Sequence, residues 1–278
     1  MRLDGFRFDV TSERPANSGV ALSGIASPKA SLVLGPWRRT EAYVNWGLGF
    51  HSNDARGATI ALDPATGAPA RRVTPVARAR GAEVGIRTEP AARLATDLTL
   101  WRLDLGSEQL FVGDAGTTDA GRPSLRWGVE WNAAYGLGPW FTLDSSVAWS
   151  HARFSDGPAD TRRIPGAVGR VTSLGATLDS GRRVHGSLRL RHIGPRALGE
   201  DGRTRSQSAR VLNADAGVRL RAGTDLLLDV FNLLDAQTSD IDYLYTSRLS
   251  GEPLGGVEDV HTHPAVPRTI RVRLRWRW

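Results

Sequence analysis

PRTIRVRLRWRW, residues 267–278, alternates without a break once it enters its apolar run. Ile270, Val272, Leu274, Trp276 and Trp278 fall on one set of positions, and Arg271, Arg273, Arg275 and Arg277 on the other. Successive side chains of a strand point to opposite faces, so this segment has one apolar face and one cationic face. A water-soluble sandwich could bury the apolar face. A transmembrane barrel needs the same alternation, with lipid outside and a wet lumen inside.

What favours the barrel is recurrence. Strands are expected near 5–11, 22–34, 40–51, 76–88, 93–112, 124–136, 140–154, 168–179, 183–194, 210–221, 224–232 and 267–278. Ala42, Val44, Trp46, Leu48 and Phe50 are opposed by Glu41, Asn45 and Gly47. Leu125, Trp127, Val129, Trp131 and Tyr135 are opposed by Arg126, Glu130 and Asn132, and Phe141, Leu143, Val147 and Trp149 by Thr142, Asp144 and Ser146. The same holds for Leu188 and Leu190 against Ser187, Arg189 and Arg191, and for Leu212, Ala214, Val218 and Leu220 against Asn213, Asp215, Arg219 and Arg221. Near Leu100–Trp101 the phase slips by one, which predicts a β-bulge.

Tight turns near 35–39, 89–92, 136–139, 179–182 and 221–224 alternate with long polar loops near 52–75, 113–123, 155–167, 195–209 and 233–266. An up-and-down outer-membrane barrel places its short turns on the periplasmic side and its long loops outside. No stretch carries a 3.6-residue period, so no helix beyond two or three turns is expected. The fold class is therefore all-β: an antiparallel up-and-down transmembrane barrel, of which about twelve strands are present. Trp37, Phe50, Trp140, Phe154, Trp276 and Trp278 stand near strand ends, which suits interfacial girdles or, alternatively, ordinary core packing.

Bulk properties agree. The chain has 278 residues, a net charge of +7, no cysteine, and one lysine, Lys29, among 36 basic residues. Mean hydropathy is -0.28, and no apolar run approaches the roughly 18 residues of a spanning helix. The arginines are spread over strand faces and interleaved with 29 acidic residues, so no nucleic-acid stripe is read. Met1–Pro15 lacks the apolar core of a secretory signal. An exported protein needs one, so either the true start lies upstream or the chain is a fragment.

The run from Asp229 to Arg271, DVFNLLDAQTSDIDYLYTSRLSGEPLGGVEDVHTHPAVPRTIR, resembles the last loop and strands of TonB-dependent receptors. LWRLD at 100–104, GDAGTT at 113–118, HARF at 151–154 and RHIGPR at 191–196 resemble that family too, in the right order. The resemblance implies an outer-membrane importer of a large solute such as an iron-siderophore, with a plug inside a barrel of about 22 strands. Neither plug nor TonB box is seen, so this chain matches the C-terminal half of such a barrel. The implied partners are outer-membrane lipid, the barrel-assembly machinery, an unknown solute, and the TonB complex through an N-terminal region not in this chain. Alone, the chain is expected to transport nothing. A non-gated pore and a non-functional remnant are the other readings.

Candidate sites follow. Leu274, Trp276 and Trp278 form a terminal assembly signal on the resemblance. Glu130, Asp144, Arg189, Arg191, Asp215, Arg219, Arg271, Arg273 and Arg275 are expected to face the lumen as charge ladders, since opposite charges on neighbouring strands stabilise pairing. His261 and His263 with Glu258 and Asp259 have strand-compatible spacing for a metal, but the segment reads as a structural loop. Gly113–Gly116 lacks the ending of a phosphate loop. There is no nucleophile elbow and no zinc-protease helix, so no enzyme, metal or cofactor is expected.

Overall fold

A computed structural model describes residues 1–64, 66–112, 117–181, 183–221 and 223–276, with the side chains of 109–120 left out. The strands are β1 (Arg2–Val10), β2 (Gly19–Ser27), β3 (Lys29–Trp37), β4 (Thr40–Ser52), β5 (Val76–Ala91), β6 (Leu94–Leu105), β7 (Gln109–Val112), β8 (Thr117–Ala120) and β9 (Ser124–Gly136). They continue as β10 (Phe141–Phe154), β11 (Arg170–Asp179), β12 (Val184–Ile193), β13 (Ala209–Arg221), β14 (Thr224–Phe231), β15 (Ser239–Ser247), β16 (Val257–Pro264) and β17 (Thr269–Trp276). One short helix, α1 (Ala55–Thr59), lies between β4 and β5.

Eleven strands form one antiparallel meander, β3-β4-β5-β6-β9-β10-β11-β12-β13-β14-β17. Connections of two to four residues (38–39, 92–93, 137–140, 180–183 and 222–223) alternate with connections of 15 to 37 (53–75, 106–123, 155–169, 194–208 and 232–268). Antiparallel order then puts every long connection at one end of the sheet. The tight turns carry the strand-register irregularities near Trp37, Ala91 and Arg221. In the first turn Arg38 and Arg39 both take positive φ, the pair of left-handed residues that suits a two-residue hairpin.

The register fixes the two faces. Val44 faces Val84, Val84 faces Leu100, and Leu100 faces Val129; on the other flank Leu174, Leu190 and Leu212 line up, as do Leu274 and Leu226. These residues make one continuous apolar face, largely exposed: Leu274 is 68% and Trp149 66% accessible. On β9 it runs from Trp127 to Tyr135, close to the nine to eleven residues of a spanning strand. The fully buried residues lie instead at the long-loop end, with Phe154 at 0% exposure. Phe154 is therefore no interfacial aromatic. It is the centre of a loop core.

Four other expectations need correcting. No bulge occurs at Leu100–Trp101, since β6 keeps unbroken register with β9 throughout. Trp101 faces Glu83 and Gly128 on the polar side, so an aromatic at a polar position mimicked a phase slip. The segment 22–34 is two strands, broken at Pro28, which has no N–H for a ladder. The stretch expected as one strand, 93–112, ends its place in the large sheet at Leu105, and residues 109–112 pair as β7 with β8 inside the loop expected at 113–123, while the loop expected at 233–266 carries the hairpin β15–β16. Consequently His261 and His263 sit on a strand, not in a coil. β17 and β3 are the two edges of the large sheet, and β1 pairs only with β2.

Candidate functional site

The nine charged residues singled out from sequence share the polar face. Asp144 and Arg189 form a two-pronged ion pair at 2.8 and 3.0 Å, with Ser173 accepting from the same guanidinium at 3.1 Å. Asp229 and Arg273 form another, both bonds at 2.8 Å. Arg219 bonds Asp225 at 3.2 Å, and Arg275 lies directly opposite Asp225. Ser187 donates to Asp215, Arg271 stacks 5.2 Å over Phe231, and Arg191 faces Ser173. Glu130, opposite Thr99, lines a groove of about 590 Å³ with Lys29, Asn45, Glu83 and Trp101. Asn45 there donates to Glu83 at 2.7 Å.

Long side chains cross between strands where the facing residue is glycine. Arg189 reaches Asp144 over Gly175, where a Cβ would come 2.7 Å from its Nη2. Tyr43 lies over Gly85 and its hydroxyl meets Thr99 Oγ1 at 2.5 Å. Trp101 lies over Gly128, with a Cβ there 2.8 Å from the indole. These glycines escaped the sequence reading because they matter only once the register sets what lies opposite.

At the long-loop end, single residues tie several loops. Arg122 donates to Asp156 at 2.6 Å, to Glu200 at 2.7 Å and to the Thr161 carbonyl at 3.1 Å, while its guanidinium lies 4.4 Å over the Phe154 ring. The bond to Asp156 raises its already high pKa. Three connections are thereby joined through one charged side chain. Arg126 pairs with Glu108 at 2.5 Å. Arg196 approaches Asp242 at 3.6 Å, both well shielded, linking 194–208 to β15. Next to α1, the bond from Arg56 holds the Asp54 carboxyl below the ordinary carboxylate range, burial opposing it.

The Asn-Leu-Leu-Asp run gains a physical role. Asn232 adopts φ 49° and is 3% exposed; its side chain donates to the Ala236 and Val266 carbonyls and accepts from Ala236 N–H. Asp235 accepts from Arg268 N–H at 3.0 Å. Together they close the two ends of the 232–268 connection. A cavity of about 720 Å³ is bordered by Arg205, Gln207, Asp235, Asp242 and Thr262.

His261 stacks on Tyr245 with ring centroids 3.8 Å apart, and His263 lies 3.9 Å from Asp240. No group of three or more His, Asp or Glu that could hold a metal occurs among the described residues. Leu274 and Trp276 lie on the apolar face of β17; Trp278 and Gly113–Gly116 lie outside the described residues.

No protein-family model matches this sequence, and no curated protein does. Solved structures do. The ferric-catecholate import receptor Fiu of Escherichia coli K12, in its closed form, superposes with a TM-score of 0.69 at 18% identity, over 93% of this chain and 36% of its own. The ferric yersiniabactin uptake receptor FyuA of Yersinia pestis gives 0.72 at 15% identity, over 93% and 38%. The siderophore receptor PiuA of Acinetobacter baumannii gives 0.69 at 11% identity, over 99% and 39%. The fold is therefore that of part of a TonB-dependent receptor barrel, and the chain spans under half the length of the structures it matches.

Proposed function

We propose that these 278 residues are the C-terminal half of the barrel of an outer-membrane, TonB-dependent receptor that imports a large solute such as an iron-siderophore complex. The observation that supports it is the split meander: one apolar face, one polar face laced with ion pairs, and every long connection at one end. The polar face, with Glu130, Asp144, Arg189, Arg191, Asp215, Arg219, Arg271, Arg273 and Arg275, lines the lumen and seats a plug supplied by other residues. The tied loops present the solute-recognising surface. Open edges on β3 and β17 would be aggregation-prone in water and are paired by the remaining strands of the barrel. Leu274, Trp276 and Trp278 serve as the signal read by the assembly machinery, because an amphipathic terminal ring anchors at the interface.

The test is uptake of a labelled ferric siderophore by cells in which the coding region is deleted in frame. Loss of uptake, mirrored in wild-type cells by a proton uncoupler, supports a driven importer. Small-solute flux that depends on the gene and ignores the uncoupler replaces it with a passive pore. No change in either leaves the remnant reading.

A further inference from the structure

Nearly every amide side chain in this fold is engaged. Each of the six asparagines hydrogen-bonds through its side chain, from Asn17, which donates to the Leu62 carbonyl, to Asn232 in the last long connection. The exceptions are the two glutamines whose side chains are described. Gln207 and Gln237 bond to nothing among the described residues, and both border the cavity of about 720 Å³. The hydroxyls of Ser208 and Ser239 border it too, and have no side-chain partner among the described residues.

The charged groups around the same cavity are all taken. Asp235 accepts from the Arg268 N–H at 3.0 Å and lies 3.5 Å from its guanidinium. Asp242 accepts from Thr262 at 3.2 Å and faces Arg196 at 3.6 Å. Arg205 donates to the Pro195 carbonyl at 3.0 Å. No aromatic ring is among the described lining residues. What remains free is therefore uncharged: two amides, each with a donor and an acceptor side by side, and two hydroxyls that can do either. A charged ligand would lose its hydration here and meet no free counter-charge. A flat aromatic ligand would find no ring to stack on. Neighbouring hydroxyls of a sugar ring, one donating and one accepting, match a side-chain amide, and the volume lies in the range of small-ligand sites.

We propose that this cavity binds an uncharged sugar unit through Gln207, Ser208, Gln237 and Ser239. Its place in function rests on the importer reading above, for which it makes the recognised part of the solute a neutral glycan.

Outer-membrane vesicles from cells carrying the gene are applied to an array of neutral oligosaccharides and their uronate-bearing counterparts, with vesicles from the in-frame deletion as the blank. Gene-dependent binding is expected on neutral members and not on the uronates. A neutral hydrogen bond contributes about fivefold in affinity, so Gln207→Ala/Gln237→Ala should weaken binding of the tightest neutral glycan about 20-fold. The double variant should reach the membrane in wild-type amount, measured by blotting, because neither amide bonds to the fold. Absence of gene-dependent glycan binding, equal or stronger binding of the uronates, unchanged affinity in the double variant, or its depletion from the membrane overturns the proposal. Ferric-siderophore uptake that depends on the gene, without glycan binding, refutes this site and leaves the importer reading standing. Glycan binding with no gene-dependent uptake of any solute refutes the importer reading and leaves the site.

Discussion

Gly85→Ala tests how the polar wall is built. A Cβ at Gly85 would fall 2.8 Å from Tyr43 Cε1 and closer still to Cζ and Oη. The ring cannot bend away, so it must leave its position, breaking its bond to Thr99. Overpacking of this kind costs about 1–3 kcal/mol, and losing a neutral hydrogen bond about 1 kcal/mol. Against that, replacing glycine within a strand returns about 0.5–1 kcal/mol of backbone entropy. The net expectation is destabilisation of about 1–3.5 kcal/mol, the sum of those ranges. In a Tyr43→Ala background the obstacle is gone, and Gly85→Ala should stabilise by about 0.5–1 kcal/mol. Equilibrium urea unfolding of the vesicle-embedded chain, followed by tryptophan fluorescence, measures all four corners of the cycle. Equal effects of Gly85→Ala in the two backgrounds would refute the crossing.

Asn232→Ala should cost about 2–3 kcal/mol, because it strips partners from buried backbone groups and puts alanine at positive φ; Asn232→Gly should cost less, and limited proteolysis within 236–266 should rise in both. Asp54 has a lowered folded-state pKa, so its contribution is present above the unfolded value, about 3.9, and lost as pH falls through the folded one; amide exchange across 55–59 should accelerate there, and Asp54→Asn should abolish that dependence. Deleting Trp278 from an intact receptor containing this chain should lower its outer-membrane amount while leaving uptake per molecule unchanged, checked by quantitative blotting beside an uptake assay.

The faces were legible because period two is local: Leu274 and Arg273 must diverge whatever surrounds them. Loop lengths gave the topology for the same reason. Trp101 misled, since its side chain reports a packing partner, Gly128, on the next strand of the sheet but three strands on in sequence, rather than a lipid-facing position. The inner hairpins were hidden in composition: in β16 the acidic pair Glu258 and Asp259 reads as coil, and only pairing with β15 makes it part of a strand. Charge content marked the candidate wall, but not which charges meet. Arg189 finds Asp144 only because Gly175 lies between them. Arg122, central to the loop end, stood in a polar stretch with no periodicity to distinguish it. The Asn232 and Asp235 closures were visible as a familiar motif without a mechanism.

The chain has no cysteine, so single cysteines can be placed freely. The central claim, that one face of the sheet contacts lipid and the other water, is tested most directly by spin labels at each position from 224 to 230 and 270 to 276 in reconstituted protein. Oxygen accessibility should peak at 226, 228, 272 and 274, and a water-soluble nickel relaxant should peak at 225, 227, 273 and 275. Nickel accessibility that is uniform along both strands, or alternation of the opposite phase, would contradict the claim.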